Sequence, residues 1–325
     1  MLETPNQWLF FAFLAPIFWA FVNIIDVYFV DRVYKDELDG VIISGLVQIA
    51  FLPFFLFFSN FKIIDFINFK LAEGLVNVLA LSFVGGFIYM LAIYFYFKSL
   101  FNKNDVTILQ FLLWSSNIIV VPVLSFFLLG EILQPYKYIG LMIVLIGAIV
   151  PLFHSKITEK FSRKYIYSVL GATIFLSLSM IIGKNTYDLL SIAYGNKGFW
   201  IGMVFFSFGA FVAGTLFAIS SKRSPWPLIR IYYKPFISIE TIYYLGNVFS
   251  QQALNIAPSA SYVAAVDAFV PVFILVYSIV ILLLSSILKI NNRAIQKIYT
   301  DQITGFWVKV LATIIMVIGI LLFAE

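Results

Sequence analysis

The sequence predicts an all-α integral membrane fold, with ten transmembrane helices built as two inverted five-helix repeats. Three observations predict it. Ten apolar stretches fill most of the 325 residues. Each is near the ~20 residues that a helix rising ~1.5 Å per residue needs to cross ~30 Å of hydrocarbon. Composition agrees, because 62% hydrophobic and 11% charged residues leave too few polar groups to cover a water-facing surface. Finally, stretches of the first half lie over stretches of the second in the same order.

The apolar runs are 8–30, 40–60, 74–97, 105–129, 136–153, 164–183, 198–220, 237–256, 259–286 and 304–323. Lipid offers no partner to backbone N–H and C=O groups, so the spans are read as helices. A barrel would alternate with period two, which Leu141 to Val150 does not. Met1 to Gln7 carries no basic stretch ahead of the first run, so the expectation is that no signal peptide is cleaved and 8–30 stays as the first span. With no cysteine, thiolate and disulfide chemistry are excluded.

Residues Tyr94 to Gly130 lie without a gap over Val248 to Leu284. Phe18 to Asp31 matches Phe175 to Asp188, each ending in aspartate, and Gly140 and Gly147 match Ala312 and Gly319. Each unit holds an odd number of spans, so the second enters the membrane with opposite polarity, and the substrate site is expected near the midplane between the units. The organisation reads as a first repeat over 1–153, a polar linker over 154–164 and a second repeat over 165–325.

The motifs FFLLGEILQPYKYIGLMIVLIGAIVPLF at 126–153 and ALNIAPSASYVAAVDAFVPVF at 253–273, with Trp19, Asn23 and Asp26 of the first span, resemble the drug/metabolite transporter superfamily of the ten-helix EamA type. The pattern covers nearly the whole chain. Two features depart from it: Leu284-Ser285 stands where the first unit has Gly130-Glu131, and a longer loop runs from Leu288 to Gln302. The resemblance implies a proton-coupled exporter or importer, or an exchanger, for amino acids, other metabolites, drugs or activated sugars. It also implies that spans four and nine line a central cavity while five and ten lie at the periphery.

An ionisable group inside a span costs at least ~2.5 kcal/mol and marks a candidate site. Asp267 lies about two turns into span nine, Lys184 closes span six, and Asp26 lies near the end of span one. Calling the side that holds both termini side A, Lys184 and Asp267 are expected to meet toward A, and Asp26 to face Lys98 or Lys103 toward side B. The two pairs would act as alternating gates, with the plainer alternatives of a snorkelling Lys184 and a structural Asp26. A second set is uncharged. Gln110, Trp114, Ser115, Ser116 and Asn117 give span four a polar stripe, and Gln251, Gln252 and Asn255 do the same for the end of span eight. Trp114 reads as a cavity wall or a packed bundle tryptophan, with Tyr262 a shallower candidate. Trp8, Trp200 and Trp307 open their spans and read as headgroup-level anchors.

The Gly140/Gly147 and Ala312/Gly319 pairs return to one helix face and predict close packing, within one chain or between two in a homodimer. Pro271 removes a backbone donor near Asp267, for a hinge or a passive kink. A single histidine and no cysteine leave no metal cluster, and no glycine-rich loop with a lysine points to ATP, so no cofactor is expected. The net charge of +5 is matched by anionic headgroups without nucleic acid. Fifteen loop Lys and Arg on side B against four on side A place B in the cytoplasm, whereas the resemblance places both termini there. The partners are then a small-molecule solute and the bilayer of a cell membrane, of the prokaryotic inner-membrane kind. Two other classes remain: a flippase for an isoprenoid-linked or other lipid, and a lipid-modifying membrane enzyme using Asp31, Asp36, Glu37 and Asp39, a run whose common meaning is loop solvation.

Overall fold

A computed structural model describes residues 7–53, 57, 75–102, 106–154, 162–287, 300, 303 and 305–324. Lys103, most of the linker and most of the loop before the last span lie outside these residues. The helices are α1 Gln7–Arg32, α2 Glu37–Ala50, α3 Leu75–Asn102, α4 Val106–Leu129, α5 Pro135–His154, α6 Arg163–Tyr194, α7 Asn196–Ser220, α8 Trp226–Ile256, α9 Ala260–Asp267, α10 Val270–Ile287 and α11 Phe306–Ala324. No strand occurs among the described residues. Among the described residues seven helical segments are long and apolar enough to cross a membrane, and large apolar side chains such as Phe127, Phe153 and Ile192 face outward from them. In water that exterior would be strongly unfavourable, so the chain is a multi-pass membrane protein.

Three elements differ from the apolar runs. Helix α6 continues through Lys184 to Tyr194, because Asp188 follows one turn later and takes the ammonium at 2.6 Å. Helix α8 begins at Trp226, well before the run at 237, and bends at Tyr232 (φ −112°, ψ 23°), three residues ahead of Pro235. A proline ring cannot donate and crowds the preceding turn, which accounts for the bend. The ninth run is not continuous but splits into α9 and α10 around Ala268 and Phe269. Pro271 cannot donate to the carbonyl of Asp267, and the chain tightens there through Phe269 N–H to Val266 O at 3.0 Å and Val272 N–H to Phe269 O at 2.9 Å.

Packing brings α1 along α8, α3 along α6 and α7, α2 along α7, and α5 along α11. The α3/α7 crossing requires glycine. A methyl group at Gly209 would sit 1.9 Å from the Phe83 carbonyl oxygen, and one at Gly86 would sit 1.8 Å from that of Phe206. One end of the bundle gathers the starts of α1 and α9 (Trp8 on Tyr262, centroids 5.7 Å apart), the ends of α6 and α8 (Ser191 Oγ to Asn255 Oδ1, 2.9 Å), and the α4–α5 turn (Ser259 Oγ to Glu131, 2.7 Å). At the other end Arg223, after α7, holds the Asp36 carboxylate bidentately and Asp39 at 3.3 Å, while Asp36 also caps α2 through Leu38 N–H. Those two carboxylates of the acidic run thus serve the α2/α7 junction, and the charge-assisted pair raises the Arg223 pKa further above its usual value.

Candidate functional site

A central cavity is lined by α1, α2, α3, α4, α6 and α8. Its empty volume is about 690 Å³, counted out to its open mouth. Helical spacing explains the walls: Trp19, Val22, Asn23 and Asp26 form one stripe of α1, and Tyr89, Ala92, Ile93 and Tyr96 repeat that spacing on α3. Gln110 and Trp114 come from α4, Ser44 from α2, and Glu240 and Tyr243 from α8. The lining residues on α1, α3 and α4 cluster toward the end of the bundle that holds Arg223, and the contacts around Tyr262 lie at the other end.

Two carboxylates face this cavity, Asp26 at 8% exposure and Glu240 at 5%, and no Lys or Arg is among the lining residues. Their partners are neutral. The Tyr96 phenol donates toward Asn23 Oδ1 at 3.0 Å and Asp26 Oδ2 at 3.2 Å. Ser44 donates to Glu240 Oε1 at 3.4 Å, and Glu240 Oε2 has no hydrogen-bond partner among the described residues. The Trp19 and Trp114 rings stack at 5.8 Å and 13°, with their N–H groups held by Asn247 at 3.1 Å and Gln110 at 2.7 Å. Tyr89 bonds Asn247 at 2.9 Å and makes a hydroxyl contact with Tyr243. A neutral network thus positions each aromatic face and leaves two acids to meet whatever enters.

Of the residues read from the sequence, Asp26, Gln110 and Trp114 line the cavity. Among the described residues neither Lys98 with Asp26 nor Lys184 with Asp267 forms an ion pair, and Lys103, the other partner expected for Asp26, lies outside them. Lys98 turns to Tyr94, at 3.4 Å from its hydroxyl and 5.3 Å from its ring centroid, because it stands two positions from Tyr96 and so faces away from the cavity. Lys184 bonds Asp188 instead of Asp267. Asp267 is fully buried, does not line the cavity, and has no hydrogen-bond partner for either oxygen among the described residues. Asn117 ties α4 to α6 by accepting from Ser177 and donating to Met180. Gln252 lies near the end of α8, off the cavity, and Tyr262 packs on Trp8 beneath the Lys137 ammonium. Trp8 is therefore buried at 4% exposure and not a headgroup anchor, whereas Trp307 is exposed at 78%.

The expectation that spans four and nine wall the cavity holds for α4 and fails for α9 and α10, whose place is taken by α1, α3 and α8. Glu240, Tyr243, Tyr89 and Tyr96 escaped the sequence reading. Their signal was present as polar groups on single helical faces, with Glu240, Tyr243 and Asn247 at spacings of three and four. Glu240 stands only three residues into the apolar run that starts at 237, whereas α8 starts at Trp226 and carries Glu240 well inside the helix. Among the described residues no group of three His, Cys, Asp or Glu is placed to hold a metal.

No family model matches the chain, and neither does any curated protein. Among solved structures, one described only as "Crystal structure of protein" matches with a TM-score of 0.56 and 15% identity, covering 98% of this chain and 96% of that chain. The likeness is one of fold over the full length.

Proposed function

We propose that this protein is a secondary active transporter of a small organic solute, proton-coupled or an exchanger, working by alternating access around the central cavity in a cell membrane. The observation that carries this reading is a largely apolar cavity that holds two carboxylates, Asp26 and Glu240, among helices from both halves of the chain, of which α1, α3, α4 and α6 are long and apolar enough to cross a membrane. Ionisable groups are retained at such depth where a solute or an ion is handled. Both are groups that can exchange a proton or hold a cation in step with solute binding.

The inverted-repeat reading has independent support. The register that sets Tyr94–Gly130 over Val248–Leu284 also sets Asn102, the last residue of α3, on Ile256, the last of α8, and Val106, the first of α4, on Ala260, the first of α9. Contacts across the α5/α11 seam exchange in the same way. A methyl at Gly147 would meet Met316 and the Ala312 carbonyl, and one at Gly319 would meet Val144 and the Gly140 carbonyl, each contact being the image of the other. Gly140 lies near Gly319 and Gly147 near Ala312, so the equivalent helices run antiparallel, as a two-fold axis in the membrane plane requires. These faces pack on each other within one chain, which supports internal packing over a dimer seam for them. The drug/metabolite transporter reading, with α5 and α11 peripheral, is the family expectation consistent with this plan.

The test is uptake into proteoliposomes under an imposed pH gradient, with a panel of amino acids, metabolites and drug-like compounds. Asp26→Asn and Glu240→Gln are each expected to reduce flux of the accepted solute by at least about tenfold, the loss of roughly 1.4 kcal/mol of interaction. Flux unchanged in both variants, or absent for every solute in the wild-type protein, would overturn the carrier reading.

A further inference from the structure

The chemistry of the cavity wall specifies a charge and a shape for the cargo. We infer that the site takes a monovalent organic cation, an amine whose ammonium sits between Asp26 and Glu240 and whose apolar or aromatic body lies along Trp19 and Trp114. This deepens the carrier reading of the same cavity and rests on it for the transport arm of the test.

Three features of the wall converge. Two carboxylates and no basic side chain line the space, so an anionic group entering would meet like charge in a medium that screens poorly. Glu240 Oε2 has no hydrogen-bond partner among the described residues, which leaves an acceptor for a donor carried by the ligand. The indole N–H groups of Trp19 and Trp114 are already spent on Asn247 and Gln110, so what the pair offers is ring face. Ring faces attract cations through their quadrupole, and the effect is largest where water is excluded. An inorganic cation would leave the apolar side chains of Val22, Ile93 and Leu113 beside the rings without a partner, whereas an organic body covers them.

Binding would leave no buried donor stranded. When an ammonium takes Asp26, the Tyr96 proton keeps a partner in Asn23, 3.0 Å away. Tyr96 therefore acts as a positioning residue that can shift its single proton between two acceptors as the site fills and empties.

The experiment compares three probes with one aromatic body: 2-phenylethylammonium, 2-phenylethanol and phenylacetate. Binding to the purified full chain is followed by calorimetry and tryptophan fluorescence, and flux is followed in proteoliposomes. The cation is expected to bind at least about tenfold more tightly than the alcohol, with phenylacetate weakest, since a desolvated charge on aromatic faces and carboxylates is worth that much or more. Asp26→Asn and Glu240→Gln are expected to erase the preference for the cation over the alcohol while leaving helix content by circular dichroism unchanged. Equal binding of the alcohol, or preference for the anion, would overturn the assignment of a cation. If a neutral or acidic solute moves instead and the ammonium does not, this inference fails and the carrier reading stands. If the ammonium binds with the expected dependence on both acids but no solute crosses, the carrier reading fails and the cation site stands.

Discussion

Asp267 and Glu240 show what separates a buried acid that meets the cavity from one that does not. Glu240 has a hydroxyl on one oxygen and the cavity before it, whereas Asp267 is closed in at the end of α9 with neither oxygen bonded among the described residues. A carboxylate without a partner is the more costly kind of burial, because nothing offsets the lost solvation of its polar atoms. Asp267→Asn keeps the shape and removes the ionisable group. That variant is expected to melt no lower than the wild-type protein in a thermal-shift assay in detergent. A fall of more than about 5 °C would reveal an interaction that depends on the carboxylate, given that ~1 kcal/mol moves the melting point of a domain of about 150–250 residues by roughly 2–4 °C and that of a larger one by less.

Helices α3 and α7 meet more closely than side chains permit, and the walls of the cavity on α3 depend on that approach. Gly209 faces the Phe83 carbonyl at a distance no added carbon can occupy, and backbone cannot swing aside as a side chain can. Gly85, on the same stretch of α3, would place a methyl 3.1 Å from the Ile182 side chain, a contact that a small rotation relieves. Gly209→Ala is therefore expected to destabilise the protein by about 1–3 kcal/mol or more, and Gly85→Ala by less than about 1 kcal/mol. The ranking is read from melting temperatures of the two variants, and equal melting points would mean that the α3/α7 crossing relaxes freely. The break between α9 and α10 belongs to this scale too, since it follows from one proline and the chain's local tightening around Phe269.

At the scale of the whole molecule, the proposed inverted repeat makes a sharp prediction about which face each helix starts from. Lys35, just before α2, and Lys197, at the start of α7, are exposed positions at the starts of two helices that the proposed repeat makes equivalent. Because the chain has no cysteine, single Lys35→Cys and Lys197→Cys variants carry one thiol each. With inverted repeats an impermeant maleimide applied to one face of sealed vesicles labels one variant and spares the other. Labelling of both from the same face would require parallel copies. The same pair resolves the orientation, since the basic residues concentrated near Lys35 predict that this thiol is the cytoplasmic one.

Apolar content and run length determined by themselves that the chain is helical and lives in lipid, because a bilayer rewards a simple quantity that can be summed along a sequence. The polar stripe of Gln110 and Trp114 was legible too, because it lies on one face of one helix. Partnership was not legible. Lys98 and Asp26 carried the right charges and lay toward the same side, yet the rotation of α3 presents Tyr96 to the cavity and turns Lys98 away. Lys184 found Asp188 one turn along its own helix before any distant acid, and Glu240 entered the site because α8 runs longer than its apolar core. Which faces meet depends on the rotation and crossing of several helices at once, and only the folded bundle decides that.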